Sequence, residues 1–122
     1  MTTMINPRPA FRRGNVVLVL FPNSDLQTAK PRPALVIQAN DLRTGLPQVI
    51  VCMITGKIFR ANHPSRVLVS LASPEGKESG LLSDSVVMTD NLATITEAAI
   101  DCIIGTLPME MVDGALRHTL GL

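Results

Sequence analysis

The chain has 122 residues, about one ordinary domain at ~100–200 residues per domain. Hydrophobic residues make up 46% and charged ones 17%, which suits one compact core and excludes a disordered or low-complexity chain. Net charge is only +1, but nine Lys/Arg and two Asp/Glu fall between Met1 and Arg66, against two and eight between Val67 and Leu122, so the halves carry +7 and −6. Either folding interleaves the halves, or the first hairpins form a basic face suited to a polyanion.

The amino-terminal stretch MTTMINPRPAFRRG has no apolar signal core, so the cytoplasm is the expected location. Residues 1–12 are expected to form a flexible extension, and 13–122 a single domain. The longest unbroken apolar run, Val16 to Phe21, is far short of the ~20 residues a membrane helix needs. Strand-length runs rich in Val, Ile and Leu follow at 15–21, 34–38, 48–54, 66–71, 85–89 and 100–104, each bounded by Pro, Gly, Asn or Ser. Most are continuously apolar, as strands covered on both faces or strands of a tight barrel are.

The loop from Asn23 to Lys30 joins the first two strands. It is rich in hydrogen-bonding groups, which fits either a solvated loop with an Asx turn at Asn23 or a recognition loop. Next comes Lys30-Pro31-Arg32-Pro33. Pro31 fixes its own φ and Pro33 keeps Arg32 out of the helical region, so a long cation stands on a stiff, extended strand entrance. The third run ends in Ile54-Thr55-Gly56-Lys57. An Arg and a Thr from the ends of neighbouring strands could act on one phosphate.

Residues 56–66 form a second polar loop with Lys57, Arg60, His63 and Arg66, and Ser73–Gly80 reads as a third, mobile loop. Thr96-Glu97-Ala98-Ala99 reads as one helical turn. Pro108 is placed for a first helical turn, and Val112, Ala115, Leu116, Thr119 and Leu120 then recur at helical spacing. The whole reads as mainly β: a small antiparallel β-barrel closed by a C-terminal α-helix. Cys52 and Cys102 lie in apolar runs and read as buried free thiols. His63 and His118 read as bystanders.

There is no metal-ligand spacing, glycine-rich phosphate loop or nucleophile elbow, so no metal or cofactor is expected. The only aromatics are Phe11, Phe21 and Phe59, which disfavours binding by stacking many bases.

The order Gly14-Asn15-Val16-Val17-Leu18-Val19, Phe21-Pro22-Asn23-Ser24-Asp25, Lys30-Pro31-Arg32-Pro33-Ala34-Leu35-Val36-Ile37, then Ile54-Thr55, resembles the MazF/PemK toxins. The resemblance continues through Ser79-Gly80-Leu81, Asp84-Ser85-Val86-Val87 and Ile104-Gly105-Thr106-Leu107. It implies an SH3-like barrel and the toxin half of a type II toxin–antitoxin pair. It further implies a sequence-specific, metal-independent endoribonuclease that cuts single-stranded RNA by 2′-OH attack. Arg32 and Thr55 fall on the family's catalytic pair. Asn23, Ser24, Asp25, Lys30, Lys57 and Arg60 are the candidates for holding RNA. The implied partners are a cognate antitoxin, through which alone DNA would be bound, and a second copy in a homodimer. Val49–Ile54 and the 108–120 helix are candidate contributors to that dimer.

The chain departs from the family's common pattern at three places. Gly56 stands where many members have Ser, Ala93 where many have Arg, and Met88 where some have a basic residue. Two other readings compete. One is a CcdB-like gyrase inhibitor, which shares the fold but ends in a Trp-containing tip that this Trp-free chain lacks. The other is a non-catalytic, partner-binding barrel.

Overall fold

The structure, a computed structural model, describes residues 11–22, 25 and 27–122. Nearly all of the expected amino-terminal extension, and the loop residues Asn23 and Ser24, lie outside it. Among the described residues, six strands form one antiparallel sheet: β1 (Asn15–Pro22), β2 (Ala29–Val36), β3 (Gln48–Thr55), β4 (Arg66–Val69), β5 (Ser85–Thr96) and β6 (Ile100–Thr106). Their order across the sheet is β4-β5-β3-β2-β1-β6. The described residues also form two short α-helices, α1 (Pro74–Glu78) and α2 (Asp113–Leu120), and three 3₁₀ turns.

The apolar runs are continuous because both faces of the central strands are covered. Val16 and Val17 are adjacent and both wholly buried, as are Leu35 with Ala34 and Cys52 with Val51. On one face Val16, Leu35, Cys52, Ile54 and Val87 pack under Val112 and Leu116 of the C-terminal segment. On the other, Val17, Val19, Ala34, Val36, Val49 and Val51 pack under Phe11, Ile95, Ala99 and Ile100, as the sheet curls back on itself. Val49, Val51, Cys52 and Ile54 are therefore spent inside the chain and offer no free surface for a second copy.

The sheet is curled but not closed. A closed barrel would pair its end strands β4 and β6, which are the two edges here. In place of that ladder, β6 packs against Ser79 and Gly80, so closely that a Cβ on Gly105 would lie 2.3 Å from the Ser79 carbonyl carbon. Because β6 is an edge, Cys102 is exposed rather than buried, while Cys52 is buried and its thiol pKa is pushed up to about 12 by burial.

Three elements differ from the sequence expectation by more than two residues. β2 begins at Ala29 rather than 34, because its prolines still allow pairing with β1. β5 continues to Thr96 across a large bulge. The segment read as a mobile loop contains α1: Ser73 caps it by accepting from the Gly76 N–H (3.0 Å), and Pro74 occupies the first turn. The short turn at Glu97–Ala99 forms as expected. At the carboxyl end a 3₁₀ turn (Met109–Met111) comes first, and α2 then buries Ala115 and Leu116 behind Val112, with Leu120 half exposed.

Gly80 fixes the segment beside β6. Its φ is +72°, and a Cβ there would lie 2.0 Å from the Ile104 carbonyl oxygen. Gly80→Ala adds a left-handed strain of about 1–3 kcal/mol to that clash. Urea unfolding should show a clear loss of stability, and an unchanged midpoint would contradict this packing.

Candidate active site

The site forms where β2 and β3 part. Their ladder has only three pairs, from Val36↔Val51 to Ala34↔Met53, and stops two residues short of Arg32 and Thr55. The prolines explain the stop. In an antiparallel strand, alternate residues direct their N–H and C=O to opposite neighbours. Val36 accepts from Gly14 on the β1 side (2.8 Å), whereas Ile37 donates to Ile50 on the β3 side (3.1 Å). Even-numbered residues of β2 thus face β1 and odd-numbered ones face β3. Pro31 and Pro33 are odd, so the two missing N–H groups both fall on the β3 side. Pairing with β1 runs on undisturbed to Pro22↔Ala29 and includes Val19↔Arg32.

Arg32 is therefore anchored through its backbone to β1, and Thr55 to β5 through the pair Thr55↔Val86. Between them opens a groove of about 950 Å³. Lys30 and Arg32 stand on its β2 wall. Thr55, Gly56, Lys57 and Arg60 stand on the opposite wall. Gly80–Ser83 closes one end, and Met53, Met88 and Ala93 line its apolar part. Among the described residues, four cations thus line the groove, and no Asp, Glu or His does.

The cations are unneutralised. Among the described residues, none of Lys30, Arg32, Lys57 or Arg60 has an ion pair. The ion pairs lie elsewhere and join the two halves of the sequence: Arg13 with Asp113 (2.9 Å) and Arg66 with Asp90 (2.7 Å). Arg66 holds the Asp90 carboxyl below its ordinary pKa, chiefly by hydrogen bonding. Both readings of the charge asymmetry thus hold in part, since some cations are interleaved and others form a basic groove.

The Thr55 hydroxyl is oriented. Its Oγ1 accepts from the Lys57 N–H (3.2 Å), so its own proton remains available, with no acceptor among the described residues. Arg60 lies with its guanidinium 5.9 Å from the Phe59 ring centre and its Nη1 3.8 Å from Met88 Sδ.

Of the residues singled out in the sequence, Lys30, Arg32, Thr55, Lys57 and Arg60 come together in this groove. Asp25 does not line it. Its carboxylate accepts from the Gln27 and Thr28 N–H groups (2.9 and 3.1 Å) and from Thr28 Oγ1, which lowers its pKa. Asp25 organises its own loop and is a poor proton acceptor. His63 and His118 sit ring to ring at 6.3 Å, outside the groove. Asn91 and Ser83 also line the groove but are not among the candidates from the sequence; Asn91 opens the Asn91-Leu92-Ala93-Thr94 segment, in which only Ala93 drew attention, and Ser83 lies in no run or motif. Among the described residues no group of His, Cys, Asp or Glu is placed to hold a metal ion, and no helix is long and apolar enough to cross a membrane.

A profile of the family described as "PemK-like, MazF-like toxin of type II toxin-antitoxin system" matches residues 12–120. The chain belongs to this toxin family. Solved structures agree on the fold. The Mycobacterium tuberculosis toxin MazF-mt6 is 26% identical over 88% of this chain and 92% of its own, with a TM-score of 0.64. An endoribonuclease from a mycobacterial species is 24% identical, covers 93% of each chain and has a TM-score of 0.67. A MazE–MazF complex from Deinococcus radiodurans is 18% identical over 93% of this chain and 97% of that one, with a TM-score of 0.69. The three departures from the common PemK/MazF pattern, Gly56, Met88 and Ala93, all line the groove.

Proposed function

We propose how this toxin, an endoribonuclease by family and fold, cuts RNA. The observation that carries the reading is the groove itself: four cations without a carboxylate, and an oriented Thr hydroxyl facing an anchored Arg. A single RNA strand threads the groove. The ribose 2′-oxygen attacks the adjacent phosphorus and the bond to the 5′-oxygen breaks. The products are a 2′,3′-cyclic phosphate and a 5′-hydroxyl.

Negative charge builds on the non-bridging oxygens during this step. The Arg32 guanidinium meets two of them with parallel, charge-assisted hydrogen bonds. Thr55 adds a neutral donor where that charge develops. Arg32 keeps its proton, because a free guanidinium has a pKa above ~12. Solvent takes the proton from the 2′-oxygen and returns one to the 5′-oxygen, since the lining offers no carboxylate or imidazole. Lys30, Lys57 and Arg60 hold flanking phosphates, and Asn23 and Ser24 remain further candidates for holding RNA. No metal takes part.

The toxin works in the cytoplasm as a homodimer, and a cognate antitoxin neutralises it and carries any DNA binding. Structural relatives in complex with their antitoxins support the pairing with an antitoxin. The exposed Ile58, Phe59 and Leu82 supply apolar surface for an acidic antitoxin tail beside the cationic groove. Light scattering at micromolar concentration should give twice the chain mass, and antitoxin should compete with RNA. A monomer, or antitoxin and RNA bound together, would contradict this assembly.

The chemistry is tested on single-stranded RNA of mixed sequence, read for 5′-hydroxyl ends. Arg32→Ala should lower the rate by on the order of 10²–10³ while the protein stays folded. Thr55→Ala should cost less, and Arg32→Lys should restore only part of the loss. His63→Ala, His118→Ala and added EDTA should leave the rate unchanged. A folded Arg32→Ala protein that cuts at the parental rate would overturn the assignment.

A further inference from the structure

The bulge in β5 presents a side chain to the groove. On β3, the adjacent residues Cys52 and Met53 pair with Leu92 and Met88, so three residues of β5, Thr89 to Asn91, face no partner on β3. Bulges of this kind re-aim side chains and recur beside active sites. The first two of the three are pinned. Thr89 is wholly buried; its N–H and its hydroxyl both donate to the Ser65 carbonyl (3.1 and 2.6 Å). Asp90 is gripped by both Nε and Nη2 of Arg66 (3.0 and 2.7 Å). Arg66 Nη1 also donates to the Arg60 carbonyl (3.2 Å), which ties the bulge to the turn that carries a groove cation.

The third residue, Asn91, is left over. It is exposed, lines the groove, and has no hydrogen bond among the described residues. Among the described residues it is the only side-chain amide in the lining. Beside it, the register partners Met53 and Met88 offer thioethers, which pack well against an aromatic ring. A free amide on a pinned backbone, next to a polarizable apolar surface, suits an unstacked base. Phosphate and ribose would be better served by the cations.

We propose that Asn91 is a specificity-determining residue that reads one adenine of the RNA. Its carboxamide oxygen accepts from the adenine amine and its NH₂ donates to a ring nitrogen, while the ring lies on Met53 and Met88. An Asn amide meets the amine and adjacent ring nitrogen of adenine bidentately; cytosine offers the same pair on a single ring, and the two-ring adenine covers the Met53 and Met88 thioethers more fully. The inference rests on the endoribonuclease reading of the groove.

The test is 5′-hydroxyl end mapping on a random pool of single-stranded RNA with the full chain. Thermal melts of each variant run alongside. The wild type should cut at sites that share an adenine at one position. Asn91→Ala should melt as the wild type and still cut, with the preference at that position reduced roughly tenfold or more and other positions unchanged. Asn91→Asp keeps the acceptor and loses the donor, so its preference at that position should move towards cytosine. An unchanged cleavage profile for Asn91→Ala would overturn the assignment, as would a wild-type profile without a shared adenine. Loss of all cutting by folded Asn91→Ala would also overturn it, because it would place Asn91 in the chemistry instead. If the wild type produced no 5′-hydroxyl ends, the endoribonuclease reading would fail, and this one with it.

Discussion

Two absent hydrogen bond donors shape this site. Pro31 and Pro33 are two residues apart, so the N–H groups they lack fall on the same edge of β2, the edge facing β3. Had they been one or three apart, each neighbouring strand would have lost one donor. As it stands, β1 keeps its full ladder with β2 and β3 loses its hold beyond Ala34. The sheet opens along one seam, and the residues on either side of the seam remain held from behind. Arg32 leans on β1, and Thr55 leans on β5. A groove made this way has walls as rigid as strands, which is what stabilisation of a developing charge requires.

The rest of the fold keeps that groove cationic. Asp113 and Asp90 sit in the acidic half of the sequence, and each pairs with an arginine of the basic half that lies outside the groove. The groove cations have no such partners among the described residues, and Asp25 accepts hydrogen bonds within its own loop. The Arg66–Asp90 pair is partly exposed, and pairs of that kind contribute little to stability. Its larger effect is geometric, since one guanidinium holds both the β5 bulge and the turn bearing Arg60.

Much of this was legible in the sequence. The six apolar runs marked the six strands, and their lack of alternation foretold cover on both faces. Lys30, Arg32, Thr55, Lys57 and Arg60 were found because strand ends and the loops after them gather at one end of a small sheet. Other features depended on long-range pairing. The exposure of Cys102 follows from β6 being an edge, which strand order decides and local composition does not. Sheet closure failed because Ser79 and Gly80 occupy the flank of β6, a contact between residues about 25 apart in sequence. The β5 bulge was invisible because nothing in Thr89-Asp90-Asn91 marks a register shift; it is set by Ser65, just before β4, and by Arg66 on β4. The cap that makes α1 a helix was visible in Ser73-Pro74, but polarity around it favoured a loop.

The central claim is that Arg32 and Thr55 act on one and the same phosphate from opposite sides of the parted strands. A double-mutant cycle measures this most directly, with single-turnover cleavage of one RNA by the wild type, Arg32→Ala, Thr55→Ala and the double variant. Two donors on one charged group act as a unit, so the double variant should be slower than Arg32→Ala by far less than the factor that Thr55→Ala alone costs. Strictly multiplicative losses would show that the two residues act independently, and would contradict the account.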